Sequence, residues 1–225
     1  MKQRLVLTPR KALGSKQPAV SHRTARSRRS KITFWTLICI AVSSVFVLLL
    51  PYIPKLSFWV SRPSIDASSY EKAAQATKSG GSTKDTPPAA KPGNRLILPD
   101  IGVDTQIIEG KNLNVIGKNQ GVWRETNRIN PSVPGNLVIA GHRFLYTATN
   151  GGWFYNLPEL KLGEKIYVKW DDKIYEYEIY NTRSVLPTQT DVRDNDPLIP
   201  KKLTMYTCYP LGSTAKRFVV EAKQL

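Results

Sequence analysis

Three residues at the ends of predicted strands carry side chains that could act together on an acyl group. Cys208 follows the alternating run 203–207, and Arg217 opens the next β-rich run. His142 comes directly after the apolar run 136–141. Each residue alone also fits a structural role, as a buried thiol, a loop histidine or a surface cation. Only their combination favours catalysis.

The chemistry that suits these three groups is nucleophilic acyl transfer. A thiol with an ordinary pKa of about 8.5 is only a few per cent ionised at neutral pH. A nearby imidazole can take its proton and later protonate a leaving amine. A fixed cation such as the Arg217 guanidinium can stabilise the oxyanion of the intermediate. The part of the chain that follows residue 54 has a single cysteine and a single histidine, so this pairing has no competitor there.

The sequence predicts neither a metal nor an organic cofactor. Zinc normally requires three or four Cys, His or carboxylate ligands, and the spacing of these residues does not provide them. There is no glycine-rich phosphate loop or nucleotide fingerprint. Asp191, Asp194 and Asp196 lie close together in a loop, which is weakly suggestive of calcium, but a solvated polar loop explains them better.

The basic charge of the chain lies mostly at its N-terminus. The net charge is +16, and residues 1–31 hold ten of the 33 Lys and Arg residues with no acidic residue. Residues 32–54 follow without any charge and are long enough to cross a bilayer as a helix. The positive-inside rule then predicts a cytoplasmic tail at 1–31, a single transmembrane anchor at 32–54 and an extracytoplasmic remainder. We therefore interpret the charge as topogenic and expect no nucleic-acid partner.

A cleaved signal peptide is the alternative to an uncleaved anchor. Its apolar core would normally be shorter, and no convincing A-x-A cleavage site follows residue 54. With an anchor, Cys39 lies inside the membrane and Cys208 is the only cysteine outside it, so no internal disulfide is expected. The protein is thus predicted to reside in the cell membrane.

Residues 55–92 are predicted to form a flexible extracytoplasmic stalk. The segment is rich in Ser, Ala, Lys, Gly, Thr and Pro and poor in large apolar residues, so it can bury little surface. A short helix around Tyr70–Thr77 is compatible with the pattern.

Residues 93–225 carry the periodicity of an all-β domain. Seven or eight short strands with one or two small helices predict a barrel or a sandwich. An Asp171-Asp172 turn is predicted to join a hairpin, and residues 184–201 are predicted to form a long loop before the Cys208 strand.

The motifs in this domain resemble those of the sortases. Thr204-Met205-Tyr206-Thr207-Cys208 is similar to their T-L-x-T-C strand, with Met205 in place of leucine. The run from Asn136 to Arg143 is similar to their apolar strand ending in G-H-R, and Arg217 matches the arginine that opens their last strand. The order His, Cys, Arg and the layout of anchor, stalk and C-terminal domain also agree.

The resemblance implies a closed β-barrel of about eight strands and a cysteine transpeptidase. Such an enzyme cleaves the Thr–Gly bond of an LPxTG-like sorting signal near the C-terminus of a secreted protein. It transfers the acyl group to an amine on a peptidoglycan precursor or a pilin. By the same resemblance, Cys208 is the nucleophile, His142 the general acid/base, and Arg217 the oxyanion or substrate clamp.

The resemblance also suggests substrate-binding residues. Thr207 could help to position substrate, and the loop 184–201 corresponds to the wall of the substrate groove. Apolar contacts to a Leu-Pro dipeptide are then expected from four residues: Val185, Leu186, Pro187 and Leu198. Residues 61–93 show no Asp-Pro-Trp-like tripeptide of the kind found in the lids of pilin-type sortases, so an open site is expected.

Two other functions remain open at this level. The L,D-transpeptidases also use Cys, His and Arg, but in a compact motif, whereas this chain separates its His and Cys by 66 residues. A membrane-anchored β-domain that binds a cell-wall polymer or surface protein would not need a reactive thiol. Its binding face could be formed by the tyrosine-rich strands that contain Tyr167, Tyr175, Tyr177 and Tyr180.

Overall fold

The structure, a computed structural model, describes residues 23–80, 91–117, 120–125, 129–145 and 152–225. Part of the predicted tail (1–22) and part of the predicted stalk (81–90) lie outside these residues. The chain divides into two compact units, Met1–Leu48 and Leu49–Leu225.

The described residues form three α-helices: α1 (Arg23–Leu49), α2 (Ile53–Val60) and α3 (Ser68–Lys78). They also form eight strands: β1 (Arg95–Leu98), β2 (Val103–Glu109), β3 (Val122–Arg124), β4 (Gly135–Ala140), β5 (Lys165–Trp170), β6 (Lys173–Val185), β7 (Lys201–Tyr209) and β8 (Lys216–Gln224).

The first unit contains a helix of membrane-spanning length. Within α1, the stretch Lys31–Leu49 has a mean hydropathy of 2.4 and is long and apolar enough to cross a bilayer by length and composition. The apolar segment predicted over 32–54 does not form one continuous helix. Pro51 follows the end of α1, and a 3₁₀ turn over Leu50–Tyr52 leads into the separate helix α2.

The eight strands of the second unit close into a barrel in the order β1-β2-β3-β4-β7-β8-β6-β5, and β5 pairs back to β1. This confirms the predicted closed β-barrel with a few short helices. Two of the pairings are parallel, β2 with β3 and β4 with β7, and the others are antiparallel. Alternate side chains of each strand fill the interior, including Leu137, Leu203 and Val220.

The predicted β5–β6 hairpin is present with its two-residue turn. Trp170 pairs with Lys173, and both Asp171 and Asp172 have positive φ angles of 47° and 61°. That conformation matches the right-handed twist of the flanking strands, and aspartate tolerates it better than most residues do.

Strand β6 is longer than the sequence predicts and ends at Val185, inside the segment 184–201 that is predicted as a loop. A bulge between Ile179 and Asn181 adds one residue to its pairing with β8. Ile179 points into the barrel core, whereas Val185, six residues later, packs outside it with Val192 and Val219. An even separation would keep both on one face, so the bulge turns the end of β6 outward.

Part of the predicted flexible stalk is a helix that packs on the barrel. Tyr70, Ala73 and Ala74 of α3 are buried against Ile97, Tyr167 and Ile174. The rings of Tyr70 and Tyr167 stack with centroids 5.9 Å apart. The helix that the sequence allows around Tyr70–Thr77 is present as α3, but it packs on the sheet where the composition predicts a flexible stalk. Two alanines and one tyrosine suffice to form this close contact.

Polar contacts fix the C-terminal end of α3. The Lys78 Nζ lies 2.9 Å from Oε2 of Glu176, whose side chain is only 7% exposed. The backbone N–H of Ile174 donates to the Thr77 hydroxyl at 3.3 Å. The apolar face and these bonds make α3 part of the folded unit.

We expect Tyr70→Ala to lower the free energy of unfolding by about 2–3 kcal/mol, because it removes a buried ring stacked on Tyr167. Urea denaturation of the full chain in detergent micelles measures this change. Gln75→Ala, on the exposed face of α3, is the control and should change stability by less than about 0.5 kcal/mol. Equal stability of the Tyr70→Ala variant and the wild type would contradict the packing of α3.

Candidate active site

The parallel pairing of β4 with β7 brings His142 to Cys208. Six consecutive pairs, from Gly135↔Lys201 to Ala140↔Tyr206, share one register. In every pair the two residues are 66 positions apart, and Gly141 and Thr207, which come next along the two strands, have the same separation. His142 and Cys208 are also 66 positions apart, so they form the next pair after Gly141 and Thr207 if the same register continues.

Contacts on both sides of this pair show that the register continues past the end of β4. The Gly141 N–H donates to the Tyr206 carbonyl at 3.3 Å, and the Thr207 hydroxyl donates to the Gly141 carbonyl at 2.8 Å. On the far side, the Arg143 guanidinium lies 5.0 Å from the centroid of the Tyr209 ring. His142 and Cys208 lie between these contacts.

Arg217 and Val185 lie beside Cys208 on the next two strands of the sheet. Cys208 pairs with Arg217 of β8, and Arg217 pairs with Val185 of β6. Four adjacent strand ends thus present an imidazole, a thiol, a guanidinium and an aliphatic side chain in a row.

The alternation of side chains places this row outside the barrel core. Met205 and Val220 are core residues of β7 and β8, and residues of the opposite parity, such as Tyr206 and Val219, pack outside. Cys208 has the parity of Tyr206 and is partly exposed with a free thiol. The thiol can therefore meet a ligand without opening the barrel.

An open cleft of about 180 Å³ lies over these strand ends. Its walls come from the ends of β4, β7 and β8, from the 3₁₀ turn Leu113–Ile116 and from the segment after β6. The lining residues are Leu113, Ala140, Gly141, His142, Val185, Leu186, Pro187, Gln189, Val192, Arg193, Tyr206, Thr207, Cys208, Arg217 and Val219.

The backbone around His142 is held by a following loop. The Phe154 N–H donates to the His142 carbonyl at 3.1 Å. Gly152 has a φ of +134°, and a Cβ there would lie 2.7 Å from the His142 carbonyl oxygen, so only glycine allows this approach. Gly141 is likewise pressed on the ring of Phe154, at 2.7 Å from an added Cβ. These contacts fix the backbone on both sides of the His142 side chain.

Burial lowers the pKa of His142 below its ordinary value of 6.5. The environment disfavours the imidazolium because burial removes water from around the cation. At neutral pH the neutral imidazole is therefore the main form, and it can accept a proton.

Two arginines lie near Cys208. Nη1 of Arg217 donates to the carbonyls of Thr214 and Lys216 at 2.9 and 3.0 Å, which holds the guanidinium at the start of β8. Arg143 is half-buried beside Tyr209, and burial lowers its pKa from an ordinary 12.5. Its guanidinium remains charged at neutral pH, so both residues contribute positive charge near the thiol.

A polar link joins the cleft floor to its wall. The Tyr206 hydroxyl donates to Glu125, and the Glu125 carboxylate lies 3.6 Å from Nη1 of Arg193. Burial and the hydrogen bond to Glu125 raise the pKa of Tyr206, so it remains a neutral donor. The link ties the segment after β6 to β7 through the end of β3.

The structure brings together most of the site residues that the sequence predicts. His142, Cys208 and Arg217 share the cleft with Thr207 and with three residues of the predicted wall, Val185, Leu186 and Pro187. Thr207 is buried, and its hydroxyl is engaged with the Gly141 carbonyl, so it holds β4 against β7.

Leu198 does not reach this cleft. It is 89% exposed and lies at the tip of a turn in which the Leu198 N–H donates to Oδ1 of Asp196 at 2.9 Å. The Asp196↔Ile199 bridge closes the turn and directs Leu198 outward. The prediction that Leu198 lines the groove is therefore not supported by its position.

Sequence reasoning missed the polar link and the second arginine. Arg143 follows His142 in the G-H-R motif, and this adjacency was the available signal. No local sequence pattern indicates Glu125, because its contact with Tyr206 joins residues 81 positions apart. Among the described residues, no group of three or more His, Cys, Asp or Glu side chains could hold a metal ion.

Comparison with known proteins agrees with this geometry. The sortase domain family model matches residues 96–225. Sortase A of Bacillus anthracis is 23% identical over 126 residues, which cover 56% of this chain and 56% of that protein. The similarity to this relative thus spans about half of its length.

Solved sortase structures share the fold. A Clostridium perfringens sortase D5, described as a transpeptidase, has a TM-score of 0.50 and 29% identity, covering 70% of this chain and 99% of that chain. Sortase C-1 from Actinomyces oris has a TM-score of 0.52 and 25% identity, covering 71% of this chain and 83% of that chain. Since the family model matches more than half of the chain and the barrel agrees, this protein belongs to the sortase family, as its motifs predict.

Proposed function

We propose that this protein is a cysteine transpeptidase that cleaves an LPxTG-like sorting signal between Thr and Gly. The acyl group is carried as a thioester on Cys208 and transferred to an amine of a peptidoglycan precursor or a pilin. The observation that carries the proposal is the row of His142, Cys208 and Arg217 in one open cleft. Family membership supports the same reaction class.

In the acylation step, the Cys208 sulfur bonds to the threonine carbonyl carbon while His142 takes the thiol proton. The carbonyl electron pair moves to oxygen, where the Arg217 guanidinium stabilises the negative charge. The Thr–Gly bond then breaks, and His142 gives its proton to the departing glycine amine. The lowered pKa of His142 supports this sequence because it favours the proton-accepting form before attack.

In the second step, the acceptor amine attacks the thioester carbonyl carbon. His142 removes a proton from the attacking nitrogen, and the carbon–sulfur bond breaks. The new amide leaves, and Cys208 recovers its proton from His142. Water in place of the amine would yield hydrolysis.

The apolar wall supports recognition of a Leu-Pro dipeptide. Val185, Leu186 and Pro187 form a short aliphatic surface on the side of Arg217. Such a surface can pack against leucine and proline, which lie N-terminal to the reacting threonine in the signal.

The proposed setting is the cell membrane. The apolar stretch Lys31–Leu49 serves as a single uncleaved span, with the basic residues before it in the cytoplasm and the barrel outside. Secreted proteins that carry a C-terminal sorting signal are then the substrates.

The non-enzymatic alternative, a binding domain with a tyrosine face, has less support. Tyr167 and Tyr177 are each only 1% exposed, so they serve packing and cannot contact a polymer. Reactivity of the thiol still distinguishes the two functions.

The function is tested with fluorogenic LPxTG-type peptides, the full chain in detergent, and hydroxylamine as an amine acceptor. We expect cleavage that the amine accelerates, and a loss of at least about a thousandfold in Cys208→Ala and His142→Ala. Cys39→Ala is the matched cysteine control and should retain activity. Full activity in Cys208→Ala, or no cleavage of any peptide with Cys208 inert to alkylation, would contradict the proposal.

The protonation of His142 can be measured by NMR titration of its imidazole. We expect a midpoint below 6.5, because burial disfavours the cation. The unfolded chain then binds this proton more tightly, so this group's contribution makes stability rise with pH between the folded and unfolded pKa values. The His142→Gln variant assigns the resonance against His22, and a midpoint above 6.5 would contradict the stated environment.

The apolar wall is tested by the same substitution at two positions. Leu186→Ala should lower kcat/KM for a Leu-Pro-containing peptide by roughly threefold to tenfold, because it shortens a side chain that lines the cleft. Leu198→Ala, made outside the cleft, is the control and should leave kcat/KM unchanged. A larger effect at Leu198 than at Leu186 would overturn the assignment of this wall.

A further inference from the structure

Helix α2 carries an apolar face that nothing in the described part of the second unit covers. Ile53, Leu56, Trp59 and Val60 are 49%, 63%, 83% and 73% exposed. At 100° per residue, these four side chains occupy one arc of the helix. Phe58, which lies on the other side, is only 8% exposed and belongs to the barrel core. The helix is thus anchored to the barrel on one side and apolar on the other.

The chain after α2 strengthens its attachment to the barrel. The Arg62 guanidinium lies 5.3 Å from the centroid of the Phe58 ring. Pro63 packs so closely on Gly102 that a Cβ there would lie 2.7 Å away. The Ile65 N–H donates to the Pro99 carbonyl at 3.1 Å. Because of these contacts, α2 is a fixed part of the second unit.

Chain connectivity keeps α2 close to the end of the candidate membrane span. The stretch Lys31–Leu49 ends three residues before α2, and these residues form the 3₁₀ turn Leu50–Tyr52. Three residues in a 3₁₀ turn rise only about 6 Å, which is comparable to the roughly 5–8 Å thickness of one headgroup region. If α1 crosses the bilayer, α2 begins at the membrane surface.

We propose that α2 is an interfacial helix whose apolar face, formed by Ile53, Leu56, Trp59 and Val60, lies in the outer surface of the lipid bilayer. Tryptophan and tyrosine prefer this depth, and the face holds Trp59 with the exposed Tyr52 just before it. The Lys55 side chain, 62% exposed with its Nζ 4.0 Å from Oε1 of Glu159, adds positive charge to the same helix.

The consequence concerns how the barrel is held. A barrel joined to its anchor by a flexible stalk could rotate freely above the membrane. With α2 in the interface and Phe58 in the core, the barrel is fixed to the bilayer, and the cleft keeps one orientation to it. The proposal rests on the proposed membrane anchor but not on the thiol chemistry.

The test places the full chain in lipid nanodiscs of phosphatidylcholine and phosphatidylglycerol whose acyl chains carry bromine near the headgroup. Bromine quenches tryptophan fluorescence at short range, so the fraction of the fluorescence that is quenched reports contact between tryptophan and lipid. Trp59→Phe should lower this quenched fraction. Leu56→Glu should lower the quenching in a chain that retains Trp59, whereas Ser57→Glu, outside the apolar arc, should leave it unchanged.

Trp35→Phe separates this proposal from that of the anchor. If Trp35→Phe lowers the quenched fraction and Trp59→Phe does not, the anchor stands and the interfacial helix is wrong. If neither variant lowers it, both proposals fail. Protection of Trp59 from acrylamide that depends on protein concentration, rather than on lipid, would assign the face to a second copy and overturn the proposal. Peptide cleavage by Cys208 is measured in the same samples and is independent of each outcome.

Discussion

The parallel pairing of β4 with β7 is the constraint on which the rest of the site depends. Each residue of β4 faces the residue 66 positions later, and this one register sets His142 opposite Cys208. A slip of one residue would turn the imidazole to the other face of the sheet. The Thr207 hydroxyl on the Gly141 carbonyl and Arg143 on the Tyr209 ring hold the register on both sides of the pair. The antiparallel β7–β8 pairing then places Arg217 next to Cys208.

The cleft around this pair is built by local departures from regular strands. The bulge after Ile179 turns the end of β6 outward, so that Val185 continues the row of His142, Cys208 and Arg217. The Tyr206–Glu125–Arg193 link then holds the following segment over the strand ends. The same wall that encloses the thiol is therefore tied to the strand that carries it. Recognition of an apolar peptide and placement of the nucleophile depend on the same few contacts.

The local chemistry of the site could be predicted from the sequence, but its non-local geometry could not. Alternating residues predict the strands, and the strand-end positions of His142, Cys208 and Arg217 predict the trio. The order in which strands pair depends on contacts far apart in the chain, so Glu125 gave no signal. The buried face of α3 consists of one tyrosine and two alanines, so its composition does not distinguish it from the flexible stalk around it. Leu198 lies outside the cleft because the Asp196 side chain accepts a hydrogen bond from its N–H and forms a turn that composition does not reveal.

Disulfide trapping between β4 and β7 tests whether His142 and Cys208 share one site. In a Cys39→Ser background, His142→Cys should crosslink to Cys208 under mild oxidation, because adjacent strands lie about 4.8 Å apart and disulfides accept that separation. Arg143→Cys, one position further and on the other face, should crosslink much more slowly. Mass spectrometry of the digested chain identifies the bridge. Rapid crosslinking of Arg143→Cys with none for His142→Cys would show that the register differs, and the shared site of imidazole and thiol would then be wrong.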